Sequence, residues 1–240
     1  MRWFPRVRSS LFVVAATLCL GLPAREPLLQ REVINSAGFL AAHPDLRWRR
    51  EGVVAYGAGR HVEAADFFRR ASRYADKPSQ AMYAEMLWRG EGVVQNRPLA
   101  YAWMDLAAER AYPGFLIRRE RYWAALTEAE RALTLQVGQA VYPEYGDDVS
   151  KPRLARELRR ALREMTGSRT GFRGTLEVMV PGPGGEWLTI PGDKYYADRY
   201  WKPAQYWAWQ DGIWRAPRKP MVEVGPLRKV DTPLTPTPKR

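Results

Sequence analysis

The chain has 240 residues, 46% hydrophobic and 27% charged, with 38 Lys and Arg against 26 Asp and Glu and a formal net charge of +12. One cysteine excludes a disulfide framework and a cysteine-built zinc site, and two histidines leave little for any other metal centre. The length suits one extended domain with an appendage, or two small domains.

Residues 1–24 have the form of an export signal. Arg2, Arg6 and Arg8 precede the apolar run LFVVAATLCLGL at 11–22, and Leu22-Pro23-Ala24 offers a cleavage site. The run is short against the about 20 residues a spanning helix needs, although left uncleaved it would anchor the chain in the inner membrane. Cys19 follows Leu18 rather than a small residue, which argues against lipidation. Cleavage after Ala24 would remove the cysteine and three arginines, leaving a charge of +9 on a periplasmic or secreted protein. A cytosolic chain this basic would point to nucleic acid, a partner the export signal disfavours. Behind such a signal the charge fits anionic polysaccharide or lipid headgroups, and solubility alone is the plainer account.

The pattern then predicts helices in close succession. Glu26–Ala42 is closed by His43-Pro44, and Asp45 is placed to cap a helix from Leu46 to about Tyr56. Further helices are expected at 61–75, 79–89, 98–111 and 113–125. Thr127 with Glu130 forms a capping box that opens another, running to about Val141 and ended by Pro143 and a Gly146–Asp148 turn.

Residues 78–111 carry the most specific signal. Gly90 and Gly92 separate two helical segments, and Pro98 suits the first turn of the second. Small residues at Ala100, Ala107 and Ala108 allow a neighbouring helix to approach, with Trp103 filling the groove between them. Ala64, Phe67 and Ala71 repeat the spacing of Ala100, Trp103 and Ala107, each 36 residues earlier. The stretch resembles the Sel1-like repeat, a relative of the tetratricopeptide repeat, through Gly90, Gly92, Val93, Ala100, Trp103, Ala107 and Ala108. It departs from that pattern at Leu87, Asn96 and Ala111. Trp48, Gly52, Ala64, Phe68 and Ala71 are similar to the tetratricopeptide pattern in a second, degenerate copy.

The resemblance implies a mainly α fold, a short αα-hairpin solenoid over residues 25–166, and an adaptor or assembly role without catalysis. Its partner would be another envelope protein or a peptide, held in a concave groove around Trp48–Tyr56 and Met82–Arg89. An ordinary helical bundle is the alternative the residues leave open.

From Pro152 to Thr166 the chain reads as a basic amphipathic helix. Leu154, Leu158, Leu162 and Met165 share one face, while Lys151, Arg153, Arg156, Arg159, Arg160 and Arg163 dominate the rest, and Gly167 supplies a stop. Packing of the leucine face is the first reading, and an anion- or membrane-binding helix the second. The region 167–230 reads as a strand- and aromatic-rich appendage. Thr175–Val180 and Trp187–Ile190 are predicted to form a hairpin around PGPGGE, Met221–Val224 another short strand, and residues 231–240 a disordered tail.

Eight aromatics fall between Tyr195 and Trp214. They are read first as core and docking material, and second as a sugar-stacking platform on Tyr200, Trp201, Trp207 and Trp209, which would make a cell-wall or polysaccharide-binding module. No catalytic constellation, cofactor motif or metal site is predicted. GSRTG at 167–171 lacks the nucleophile-elbow spacing, PGPGGE lacks the lysine of a phosphate loop, and His43 and His61 read as structural.

Overall fold

The computed structural model describes residues 25–166, 176–182 and 185–216. The export segment 1–24, the Met165 side chain, the Gly167 stop, the Met221–Val224 strand and the 231–240 tail lie outside the described residues.

Helix starts follow from local chemistry. The first predicted helix is two, α1 (Arg25–Asn35) and α2 (Ala37–Ala42), because Ser36 takes an extended conformation and its hydroxyl accepts from the Phe39 amide. Helix α3 (Pro44–Gly57) begins earlier than predicted: His43 is its cap, Pro44 occupies the first turn, and Asp45 turns inward instead of capping. Then follow α4 (His61–Ser72) and α5 (Lys77–Arg89), the latter capped by the Asp76 carboxylate on the Ser79 amide at 3.1 Å. Asn96 caps α6 (Arg97–Ala108) through the Leu99 amide at 3.0 Å.

Helix α7 spans Pro113–Ala125, and the Thr127–Glu130 capping box opens α8 (Glu128–Tyr145) as expected. At two prolines the structure differs from the expectation. Helix α8 runs past Pro143 to Tyr145, and α9 (Asp147–Thr166) starts five residues before Pro152. Pro143 lies two residues before the end of α8, and what it forgoes there is its own backbone bond to the preceding turn. Asp147 and Asp148 bring negative charge to the first turn of α9, where the helix dipole favours it.

Helices pair in sequence order: α3 lies along α4, α5 along α6, and α8 turns back onto α6. Alanines set the spacing. Ala81 and Ala84 on α5 face Ala100 and Ala107 on α6, with Trp103, Met104, Tyr122 and Tyr145 filling the space around them. Between α3, α4 and α5 the core is Ala55, Ala64, Ala65, Phe68 and Met86. Gly52 is required under Phe68, since a Cβ there would lie 2.7 Å from the ring.

After α9 come an antiparallel hairpin of β1 (Glu177–Pro181) and β2 (Trp187–Pro191), with Val178 opposite Ile190 and Pro181 opposite Trp187. The aromatic stretch then forms α10 (Gly192–Tyr195), α11 (Asp198–Trp201) and α12 (Pro203–Arg215), three helices where the sequence reading assigned no element. Val180, Ile190, Tyr195, Tyr196, Tyr200 and Trp201 share one core with Val33, Phe39, Ala42 and Leu46, so the last elements pack on the first. The described chain is thus mainly helical, built of consecutive helix pairs with a small two-stranded sheet and a buried aromatic cluster near its C-terminal end.

Candidate functional site

The predicted repeat residues hold the hairpin together. Ala100, Trp103, Ala107 and Ala108 are all buried, and Gly90 adopts the left-handed conformation at φ +75° that ends α5. Gly92 is required twice over: its φ is +71°, and a Cβ would fall 2.3 Å from the His61 carbonyl carbon. The α5–α6 turn therefore rests directly on the start of α4.

The four aromatics of the predicted platform do not form one face. Tyr200 and Trp201 are 1% exposed, with the Trp201 indole N–H on the Tyr195 carbonyl at 2.8 Å. Trp209 is half-buried and stands edge-on to Tyr200 (5.0 Å, 81°) and to Tyr206 (5.6 Å, 63°). Trp207 is half-buried on the other side of α12, beside the Arg110 guanidinium (5.0 Å) and the Lys151 ammonium (5.7 Å). Stacking on a sugar needs an open ring face, which neither Tyr200 nor Trp201 offers in this arrangement. Around the predicted groove, Trp48 stacks on Phe67 at 5.7 Å and Trp88 on Tyr122 at 4.0 Å, so those rings mainly fasten helices to each other.

A buried charged seam, not foreseen in the sequence, joins the helix pairs to α9 and α12. Lys77 has a fully buried side chain whose ammonium meets Glu109 at 2.6 Å, the Leu106 carbonyl at 2.9 Å and Asp147 at 3.0 Å. Arg110 grips the same Asp147 with two bonds of 2.7 and 2.8 Å and donates to the Ala75 carbonyl. Burial alone would raise the Asp147 pKa, but Arg110, Lys77 and Lys151 hold it well below the usual carboxylate range. Burial pushes Lys77 down, against the pull of Asp147 and Glu109.

Beside this cluster Asp45 is 2% exposed and accepts a short hydrogen bond from Tyr206 of α12. Burial, helped by neighbouring Asp76, pushes its carboxyl up to about 7. Tyr112 donates to Asp211, also on α12, at 2.5 Å. The gap among Asp45, Lys77, Arg110, Trp207 and Gln210 measures about 10 Å³, too small for anything beyond one water molecule, so the seam is a clamp and not a ligand pocket.

His43 is wholly buried and structural, as its place beside a helix boundary implies. Its ring lies flat on Phe39 (3.7 Å, 9°), with Nδ1 at 2.8 Å from the Phe39 carbonyl and Nε2 at 2.8 Å from the Tyr200 carbonyl. Burial pushes the imidazole down to about 4, while the two carbonyls pull the other way. Glu85 accepts from Tyr122 at 2.6 Å and pairs with Arg89 and Arg118. No group of three or more His, Cys, Asp or Glu among the described residues has the arrangement to hold a metal ion. Among the same residues no helix is long and apolar enough to cross a membrane.

The surface features that face outward are of two kinds. Val53, Val54, Val62 and Val94 are 54–89% exposed at the turn ends of α3–α4 and α5–α6, where the backbone of Gly92 meets that of His61 and Val62. On the opposite kind of surface, α9 presents a row of arginines beside Trp207. The sequence flagged the second through its charge, whereas nothing in the spacing of four scattered valines marks the first. Comparison of the chain with family models, with curated proteins and with solved structures returned no match.

Proposed function

We propose that the protein is a non-enzymatic interaction scaffold, a short Sel1-like αα-hairpin solenoid exported to the cell envelope, where it holds another envelope protein or peptide on its repeat surface. The observation that carries this reading is the valine edge at the hairpin turns. Val62 and Val94 are 73% and 89% exposed on a well-packed pair of hairpins. Apolar side chains gathered at one rim of a rigid frame are the usual anchor for a protein partner, because their burial on docking is favourable and the frame needs no reordering. The clamp formed by Lys77, Arg110 and Asp147 supports the reading by making that frame stiff.

Photo-crosslinking tests it. With benzoylphenylalanine at position 62 or 94, one discrete envelope protein should be captured, and Val62→Asp or Val94→Asp should suppress capture from the other position. The same probe at Leu135, 72% exposed on α8, should capture none of it. Equal capture from position 135 would remove the reading.

A further inference from the structure

The polar surface of α9 is divided in two. Leu154 and Leu158 are buried against Tyr206, so the leucine face packs as the first sequence reading held. On one flank of what remains, Arg160 is neutralised by Glu157 at 2.6 Å and lies 3.8 Å from Glu164, while Arg153 donates to the carbonyls of Arg73 and Glu144. On the other flank stand Arg156, Arg159 and Arg163, all exposed and without a carboxylate partner among the described residues. At about 100° per residue these three fall within roughly 60° of arc, a single stripe about 10 Å long.

Most other guanidinium groups of the helix pairs are engaged: Arg49, Arg69, Arg70, Arg89, Arg110 and Arg118 all meet carboxylates. Three bare arginines on one stripe are therefore a local departure. Beside the stripe runs an open groove of about 480 Å³ lined by Lys151, Pro152, Ala155, Arg156, Arg159 and Trp207. Lys151 is already paired with Asp147 at 2.8 Å, so the groove's unspent charge is that of the arginines. The sequence that follows α9 adds Arg169 and Arg173 and no acid before Glu177.

We propose that this stripe seats the protein on an anionic phospholipid surface. Two observations favour a bilayer over an acidic protein. The charges form an open row on a helix whose apolar face is already used inside the fold, so docking rests on charge and needs no shape-matched cleft. The end of α9 also packs near α1 and α2, with Ala161 and Leu162 against the core that holds Val33 and Phe39. Helix α1 begins at Arg25, three residues after the apolar run 11–22. Three extended residues span about 10 Å, so a bilayer that holds that run keeps this end of the fold at its surface.

The test is vesicle co-flotation of the full chain, using phosphatidylcholine alone and phosphatidylcholine mixed with phosphatidylglycerol. Arg156→Gln, Arg159→Gln and Arg163→Gln are combined in one variant. Arg60→Gln, Arg69→Gln and Arg70→Gln, exposed on or beside α4, are combined in a control that loses the same charge. Each arginine near an anionic surface is worth about fivefold in partitioning, so the stripe variant should lose about a hundredfold on mixed vesicles. Its binding to phosphatidylcholine, and its thermal melt, should match the unaltered chain. The apolar run and Arg2, Arg6 and Arg8 are common to all three proteins and cancel in the comparison. Equal losses in the stripe and control variants would overturn the proposal. So would stripe-dependent binding of soluble polyglutamate as tight as that of the mixed vesicles, which would assign the stripe to an acidic protein.

Discussion

His43 and Tyr200 lie 157 residues apart in sequence and are joined at 2.8 Å, the imidazole Nε2 against the tyrosine carbonyl oxygen. Through its other nitrogen the same ring reaches the Phe39 carbonyl, so one buried side chain ties α2 to α11. A neutral imidazole carries one N–H, and two carbonyl oxygens compete for it.

Replacing His43 with Phe should keep the stack on Phe39 and lose both polar contacts. The expected cost is about 2–3 kcal/mol, the usual penalty for stranding buried carbonyl groups, read by urea unfolding. The pH dependence has a definite sign. Because the folded pKa of about 4 lies below the ordinary 6.5, this group's contribution is present above pH 6.5 and is lost as pH falls toward 4. The His43→Phe protein should lack that acid slope. A loss under about 0.5 kcal/mol would mean that the latch contributes nothing beyond packing.

Asp45 should behave in the opposite direction. Its folded pKa of about 7 stands above the ordinary 3.8, so its contribution is full below pH 3.8 and declines as pH rises to 7. Integrated over that window the decline is on the order of 4 kcal/mol. Asp45→Asn keeps an oxygen for the Tyr206 hydroxyl and removes the ionisation. The difference between the two stability curves should therefore grow from pH 4 to pH 7 and then level. Parallel curves would show that Asp45 ionises freely in the fold.

The contrast between these residues and the alanines shows what the sequence made legible. Ala100, Trp103, Ala107 and the glycines at 90 and 92 are local devices, whose spacing and size state their purpose in one dimension. The capping box at Thr127 and Glu130 is local too. Long-range partnerships leave no such trace. Nothing about Lys77, three residues before Gln80 at a helix start, indicates that Glu109 and Asp147 will close around it. Asp45 had the composition of a cap, and Pro44 displaced it inward by taking the first turn. The aromatic run carries no assigned element in the sequence reading, only the expectation of core and docking; it forms α10–α12, and its rings share a core with α1–α3, as in the 157-residue separation of His43 and Tyr200. Docking is the first sequence reading of Tyr206 and Trp207, but the partners they meet, Leu154 and Leu158 of α9 for one and Arg110 for the other, depend on that same distant geometry.

Lys77→Met tests whether the charged seam holds the frame. Methionine can fill the space of the aliphatic stem, but it leaves Asp147 to Arg110 and Lys151 and strips Glu109 of its buried partner. Removing one member of a buried ion cluster typically costs about 3–5 kcal/mol. Differential scanning calorimetry should show one transition at a much lower temperature. A cost below about 1 kcal/mol would indicate that Arg110 alone satisfies the carboxylates.

Ala111 stands where the Sel1-like pattern often has glycine, and its φ is +56°, in the left-handed region. An L-residue there is strained by about 1–2 kcal/mol, partly offset in glycine by greater freedom of the unfolded chain. Ala111→Gly should therefore stabilise the protein, by about 0.5–1 kcal/mol. Gly92→Ala should do the reverse and more strongly, since it combines an unfavourable φ of +71° with a Cβ 2.3 Å from the His61 backbone. The α5–α6 turn would have to lift off the start of α4. A loss of about 2–4 kcal/mol is expected by urea unfolding, in the range of overpacked, strained backbone sites. The two substitutions share one prediction about the backbone: removing a methyl group at 111 and adding one at 92 should have opposite signs. If both destabilise, residue 111 is held left-handed by contacts of its side chain rather than in spite of it.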